Sequence, residues 1–347
     1  MIVKLKKEIT MTYELHLHDC IDWMNSQEEK SIDCIITSPP YNLDIKYGKY
    51  EDDLPRESYL KWLHDIAVAM KRVLTDDGQL FLNVGYSNID PWVAMDVAQV
   101  FRQTFVLQNN FTWVKHIAVN DQGYGQYKPI SSNRFSSATT ESIFHFTKDG
   151  NIKIDRLAIG QRNKSEGYKY PELYSEDRHI ATQRRKVSRQ LKFTNWTEFK
   201  ATASDEQKIE FDKILADNLQ KNPYDPDKKK CIGNAWYIPY TPTSKLAKEA
   251  GATGDTGSRE KGRGGHPATY PEGLVDQCIK YSGLPEGSTV YDPFIGTGTT
   301  IIGAVKLGMK SIGTDIDQSY LDFAKHRIDN SIKELNQPKN TLFSVDI

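Results

Sequence analysis

The run Thr37-Ser38-Pro39-Pro40-Tyr41-Asn42 gathers a hydroxyl, two proline carbonyls and an aromatic ring into one short stretch. Proline fixes its own φ, holds the preceding residue extended and has no N–H, so its carbonyl stands as a rigid acceptor. Ser38 adds a hydroxyl beside these acceptors. Tyr41 adds a ring face on which a flat heterocycle can stack, an interaction worth about 1–3 kcal/mol for a nucleobase. Together they suit a planar ring bearing an exocyclic amino group, although the same residues would also make a plain strand-to-loop turn. Ile32, Cys34, Ile35 and Ile36 just before them read as a buried strand, so the polar groups emerge at a strand end, where open α/β sheets bind ligands.

A second constellation is Asp292-Pro293-Phe294-Ile295-Gly296-Thr297-Gly298-Thr299-Thr300, between a strand predicted over 288–291 and a helix predicted over 301–307. Glycines at such a turn let backbone and ligand approach closely. The next strand, 309–313, leads to Asp315, placed to bind ribose hydroxyls. The third glycine of a dinucleotide fingerprint would fall at Ile301, and no lysine follows as in a phosphate-binding loop. With no pyrophosphate to cradle, an adenosine ligand carrying an amino acid is the better match.

Ser38-Pro39-Pro40-Tyr41 resembles the catalytic motif of the DNA amino-methyltransferases, and Asp-Pro-Phe-x-Gly-x-Gly-Thr resembles their S-adenosylmethionine motif. The catalytic motif precedes the cofactor motif, as in the permuted β class, and the resemblance spans 13–336 apart from an insert. It implies an α/β fold: a circularly permuted, Rossmann-like, S-adenosylmethionine-dependent methyltransferase sheet with an inserted target-recognition region. It further implies Ser38, Pro39, Pro40 and Tyr41 as catalytic residues. Asp19, Asp292, Phe294, Gly296, Gly298, Thr299 and Asp315 are the expected cofactor contacts, with no metal. Trp113-Val114-Lys115 matches a family strand followed by a loop beside the base pocket. His266-Pro267-Ala268 matches a segment that helps form the cofactor pocket.

The elements that must position these groups follow from periodicity. Tyr13 to Leu17 alternates as a strand, and Asp19 at its end is placed either to cap a helix or to touch a ligand. Pro55 opens a helix whose apolar face includes Leu63, Ile66, Ala67, Met70, Val73 and Leu74, ending at Asp76-Asp77-Gly78. A strand over 79–84, a helix from Pro91 to Phe105 and a strand pair near 111–114 and 142–146 continue the βα pattern. Later segments predict a helix over 272–282 and another over 317–335. The stretch 43–53 reads as a long loop beside the first motif.

From 150 to 233 the alternation lapses. Residues 151–200 hold 12 Lys and Arg against 6 Asp and Glu, interleaved with aromatics. Such a segment fits phosphate contact and base-edge reading, or a solvated helical insert. The division expected is a catalytic half over 11–149, a target-recognition insert over 150–233 and a cofactor half over 234–336. The net charge of −1 confines any nucleic-acid surface to part of the chain. No apolar run approaches a membrane span, and the N-terminal stretch lacks a signal-peptide core, so a cytoplasmic location is expected. The four cysteines show no metal-ligand spacing, and none follows a proline at a strand end, which counts against attack on a pyrimidine ring.

These readings converge on methyl transfer from S-adenosylmethionine to the N4 of cytosine in double-stranded DNA. Members acting on adenine usually carry Asp or Asn where this chain has Ser38; N6-adenine stays open as the alternative. An RNA amino-methyltransferase and a non-catalytic DNA-binding protein are the other candidates. A cognate restriction endonuclease and a homodimer are left open, and 341–347 carry no assignment.

Overall fold

Pro55 starts a helix because its fixed φ suits the helix entrance and its missing N–H needs no partner there. The same logic of short buried strands and amphipathic helices repeats through a computed structural model that describes residues 12–43, 49–50, 52–88, 90–119, 122–125, 133–162, 176–223, 229–239 and 269–336. The segment 266–268, most of the loop after Asn42, much of the insert and 341–347 lie outside the described residues.

The first elements are β1 (Tyr13–Leu17), α1 (Cys20–Ser26), β2 (Ile32–Thr37), α2 (Arg56–Val73), β3 (Leu74–Val84), α3 (Val93–Phe101) and β4 (Val106–Val114). A hairpin of β5 (His116–Val119) and β6 (Gln122–Gly125) follows, then β7 (Thr140–Thr147) and β8 (Gln161–Arg162). Next come α4 (Glu176–Gln190), α5 (Trp196–Thr202), α6 (Asp205–Lys221), β9 (Lys229–Lys230) and β10 (Ala235–Tyr237). The chain closes with α7 (Glu272–Ser282), β11 (Thr289–Asp292), α8 (Thr299–Lys306), β12 (Lys310–Asp315) and α9 (Gln318–Asn336).

Eight strands form one mixed sheet in the order β1-β12-β11-β2-β3-β7-β4-β10. All neighbours are parallel except β7, which runs antiparallel to β3 and β4. β1 pairs with β12, Leu15 opposite Gly313, so elements from the two ends of the chain are sheet neighbours. That adjacency is what a circular permutation of a Rossmann-like sheet requires.

Ile32, Ile35, Leu80 and Leu82 bury against Trp23, Tyr59, Leu63, Ile66, Met70 and Val97 of α1, α2 and α3. Phe81 points the other way and stacks on His145 at 4.5 Å, and Phe111 stacks on Trp236 at 4.1 Å and meets Tyr281 of α7 edge-on. With both faces covered, the central strands need nearly continuous apolar sequence. Ile295, Ile301, Val305, Leu321, Ala324 and Ile328 make a separate cluster of α8, α9 and the turn between β11 and α8.

The helix expected to run to Asp76 stops at Val73. Leu74 turns extended, with ψ 140°, and pairs with Ile32 as the first residue of β3. A buried ladder position outweighs one more helical turn, and Gly78 is needed there because a Cβ would lie 2.9 Å from the Leu74 side chain.

Residues 159–232 make a compact unit distinct from 1–158 with 233–347. Within it Val187, Phe199, Ala203 and Phe211 form a small core joining α4, α5 and α6. Ser204 caps α6 in a full capping box with Gln207.

His145 is fully buried between Gln79 Oε1 and Asn109 Nδ2, each 3.0 Å away. Burial pushes its pKa from 6.5 down to about 3. Between those values only the unfolded chain binds the proton, so stability conferred by the neutral ring is lost as pH falls. Urea unfolding from pH 6 to pH 4 should show stability falling, and His145→Gln should remove a component of up to about 1.4 kcal/mol per pH unit from that slope.

Candidate active site

β2 and β11 lie side by side, Cys34 opposite Val290 and Ile35 opposite Tyr291, so their C-terminal ends open together. The two ends are tied by a buried hydrogen bond, in which Thr37 Oγ1 donates to Asp292 Oδ1 at 2.7 Å across 255 residues of sequence. Phe294 N donates to the same oxygen at 3.0 Å. Tyr270 OH donates to Oδ2 at 2.9 Å, and Thr300 Oγ1 bonds there too. Burial pushes the Asp292 carboxyl upward and these donors pull against it. Asp292 is 1% exposed, and its carboxylate locks the turn.

The turn after β11 needs its glycines for two reasons. Gly296 and Gly298 adopt φ of 49° and 81°, and a Cβ on Gly298 would press to 3.0 Å from Ala324 Cβ on α9. Thr299 is buried at the start of α8. Arg327, 2% exposed, reaches from α9 to donate to the Thr297 carbonyl, which fixes the turn from behind. Phe294 is half-buried and its ring meets Trp62 at 5.7 Å, with Tyr50 stacked on the same indole at 5.4 Å.

Asp315 ends β12. Its Oδ2 accepts from Gly296 N at 3.1 Å and its Oδ1 from Asp317 N at 2.9 Å. Desolvation, with Asp317 and Asp292 as like charges nearby, pushes it up to about 6. An ionised carboxylate has about four acceptor sites, so this one retains capacity for further donors, which fits the paired hydroxyls of a ribose. Asp19 follows β1, whose Leu17 stands opposite Asp315. It is exposed and caps α1, accepting from Ile21 N and Asp22 N at 2.8 and 3.1 Å.

At the end of β2, the Pro40 carbonyl is already taken by Tyr59 OH at 2.8 Å. Of the two rigid acceptors read from the sequence, Pro40 therefore anchors the turn on α2. Asn42 adopts φ 57° and its side chain bonds Leu54 N and O, while Asp52 accepts from the N–H groups of Asn42 and Leu43. Ser38 Oγ lies 2.7 Å from Tyr41 OH, and Tyr41 reaches Glu141 Oε2 at 3.3 Å. Asn83 Nδ2 donates to Tyr41 OH at 3.0 Å and to Glu141 at 2.6 Å, and Lys115 pairs with the other oxygen of Glu141. Gly85 lies against the Tyr41 ring: a Cβ there would be 2.8 Å from Cε2.

A sheet whose Ser38–Tyr41 turn and glycine-rich turn emerge from adjacent strands has counterparts among known proteins. Residues 32–326 match the N6/N4 methyltransferase family, described as DNA methylase. The chain belongs to this DNA methylase family. Its cofactor is S-adenosylmethionine. The type II methyltransferase M.ScaI of Streptomyces caespitosus is 24% identical to this methylase over 331 residues, 92% of this chain and 83% of its own. M.HpaI of Haemophilus parainfluenzae is 24% identical over 323 residues, 92% and 75% of the two chains. The solved PvuII DNA methyltransferase, titled cytosine-N4-specific, shares the fold with a TM-score of 0.55 at 15% identity over 94% of each chain.

Several groups in the methylase site were not singled out from sequence. Thr37 and Thr300 stand inside or beside the motifs, and only the strand pairing shows that both serve Asp292. Tyr270, Tyr59, Asn83, Glu141 and Arg327 come from distant elements with no local signature.

Removing the Thr37 hydroxyl would leave a buried carboxylate one donor short. Thr37→Val should cost about 1–3 kcal/mol in urea unfolding, and Thr37→Ser should recover most of it.

Proposed function

We propose that this methylase transfers the methyl group to the exocyclic N4 of cytosine in duplex DNA. The observation that carries the reading is the adjacency of the Ser38-to-Tyr41 turn and the Asp292-to-Thr300 turn at the ends of β2 and β11. Ser38 in place of an acidic residue or Asn supports cytosine over adenine. When bound, S-adenosylmethionine supplies an electrophilic sulfonium methyl. Asp315 and the exposed carboxylate of Asp19 hold its ribose, Phe294 lines its ring, and the Gly296–Gly298 turn lets it lie close to the backbone.

The target base leaves the duplex at a cost of a few kcal/mol, offset by its pocket and by phosphate contacts. Tyr41 receives its ring, and Ser38 Oγ with the Pro39 carbonyl accepts from its amino group. Accepting those protons keeps the nitrogen lone pair out of the ring and free to attack in line. Positioning supplies much of the rate.

The insert is the part we assign to reading sequence. On α4, Thr182, Arg185, Lys186, Arg189 and Gln190 are exposed at helical spacing, while Gln183, Val187 and Ser188 are buried. The acids Asp205, Glu206, Glu210, Asp212 and Asp217 sit exposed on α6 instead. α6 also bears exposed Lys208, Lys213 and Lys221, but the exposed run Arg184, Arg185, Lys186 and Arg189 gives α4 the basic excess that suits a phosphate backbone. The type II relatives suggest a restriction–modification setting, with an endonuclease that cuts the same site.

Incubating the protein with unmethylated genomic DNA and S-adenosylmethionine, then digesting to nucleosides, should yield N4-methyl-2′-deoxycytidine by mass. N6-methyl-2′-deoxyadenosine would transfer the reading to adenine. Ser38→Ala should lower the transfer rate about 100-fold with cofactor binding intact, whereas an unchanged rate would remove Ser38 from the mechanism.

Asp315 gives a second expectation. Protonation removes its acceptor sites, so calorimetric affinity for S-adenosylmethionine should fall as pH drops through about 6. Asp315→Asn should bind weakly at every pH and lose that dependence.

A further inference from the structure

Ser38 alone is an ambiguous recognition element, because a hydroxyl offers one donor and two acceptor lone pairs. To hold an amino group it must accept; to hold a carbonyl it must donate. A carboxylate in its place would only accept, whereas serine needs its own proton occupied elsewhere.

The site supplies that occupation. The acceptor-only groups in reach of the single Tyr41 OH proton include Glu141 Oε2 at 3.3 Å and the Asn83 main-chain carbonyl at 3.4 Å. Asn83 Nδ2 points a donor at the Tyr41 oxygen, which reinforces that direction. Across the 2.7 Å between them either hydroxyl can donate; a Tyr41 proton turned away would make Ser38 the donor and leave the Ser38 lone pairs for the substrate. Glu141 is held in place by Asn83 and by Lys115, with side-chain exposures of only 13% and 17% for the Glu141–Lys115 pair. Glu141 stands opposite Trp113 in the β4–β7 ladder, and Gly85 leaves room for its carboxylate beside the Tyr41 ring.

We infer that Glu141, anchored by Lys115, is a positioning residue that sets the direction of the Ser38–Tyr41 hydrogen-bond chain. It makes Ser38 an obligate acceptor and so selects bases bearing an exocyclic amino group against those presenting a carbonyl. The inference rests on the proposed role of Ser38 and holds for cytosine and adenine alike. A glutamine at 141 can donate as well as accept, so it would release the chain from its single direction.

The test is single-turnover transfer of radiolabelled methyl from S-adenosylmethionine to unmethylated genomic DNA, in Glu141→Gln, Tyr41→Phe and the double variant. Glu141→Gln should slow transfer by about 10- to 100-fold with unchanged cofactor affinity. In the Tyr41→Phe background the same substitution should change the rate by no more than about twofold, since the hydroxyl it acts through is gone. A merely structural role would slow both backgrounds equally, and that result, or a wild-type rate in Glu141→Gln, overturns the inference. Should Glu141→Gln fail to fold, Glu141→Asp withdraws the carboxylate while keeping its charge, and the same dependence on Tyr41 is required. Ser38→Ala separates the two levels: full activity there defeats the proposed mechanism itself, while a slow Ser38→Ala beside a fast Glu141→Gln defeats only the role of Glu141.

Discussion

The hydrogen bond from Thr37 to Asp292 is the constraint on which the rest of the structure depends. It joins the last residue of β2 to the last residue of β11, in a place that water does not reach. A carboxylate buried this deeply is tolerable only when its lone pairs are filled, and here hydroxyls from three separate parts of the chain and one backbone N–H fill them. The energetic penalty for leaving Asp292 unsatisfied thus becomes a geometric requirement: the two turns cannot separate without exposing an unpaired charge.

Around that tie, the fold holds both turns from behind. Tyr59 takes the Pro40 carbonyl, Asp52 and Asn42 close the loop that follows, and Arg327 secures the Thr297 carbonyl. Such supports keep flexible-looking sequence in one conformation. Reacting groups held in one place have less freedom to lose when a substrate arrives, which is where positioning gains its rate. Pairing of β1 with β12 brings Asp19 and Asp315 to the same margin of the sheet, although they stand near opposite ends of the chain.

Much of the frame was legible in the sequence because the signals were local. Strand runs ending in Ser38 and Asp292, the proline-initiated α2 and the helix over 272–282 all follow from periodicity and end residues within a dozen positions. Where local and long-range preferences conflicted, the long-range one prevailed, as when Leu74 left α2 to pair with Ile32. The partners of the site were not legible for the same reason. Glu141 meets Tyr41 only because β7 runs antiparallel between β3 and β4, and Tyr270 meets Asp292 only after α7 has packed. Asp292 also has a structural task that its motif does not reveal, since the hydroxyls that satisfy it come from Thr37, Tyr270 and Thr300.

A crystal structure of the protein with S-adenosylhomocysteine and a methylatable duplex would show directly how the two turns work together. A flipped base should lie against Tyr41, its amino nitrogen at Ser38 and facing the cofactor sulfur, with the ribose hydroxyls on Asp315. A cofactor bound away from the Asp292–Thr300 turn, or a base whose amino group lies out of reach of both Ser38 and the sulfur, would contradict this arrangement.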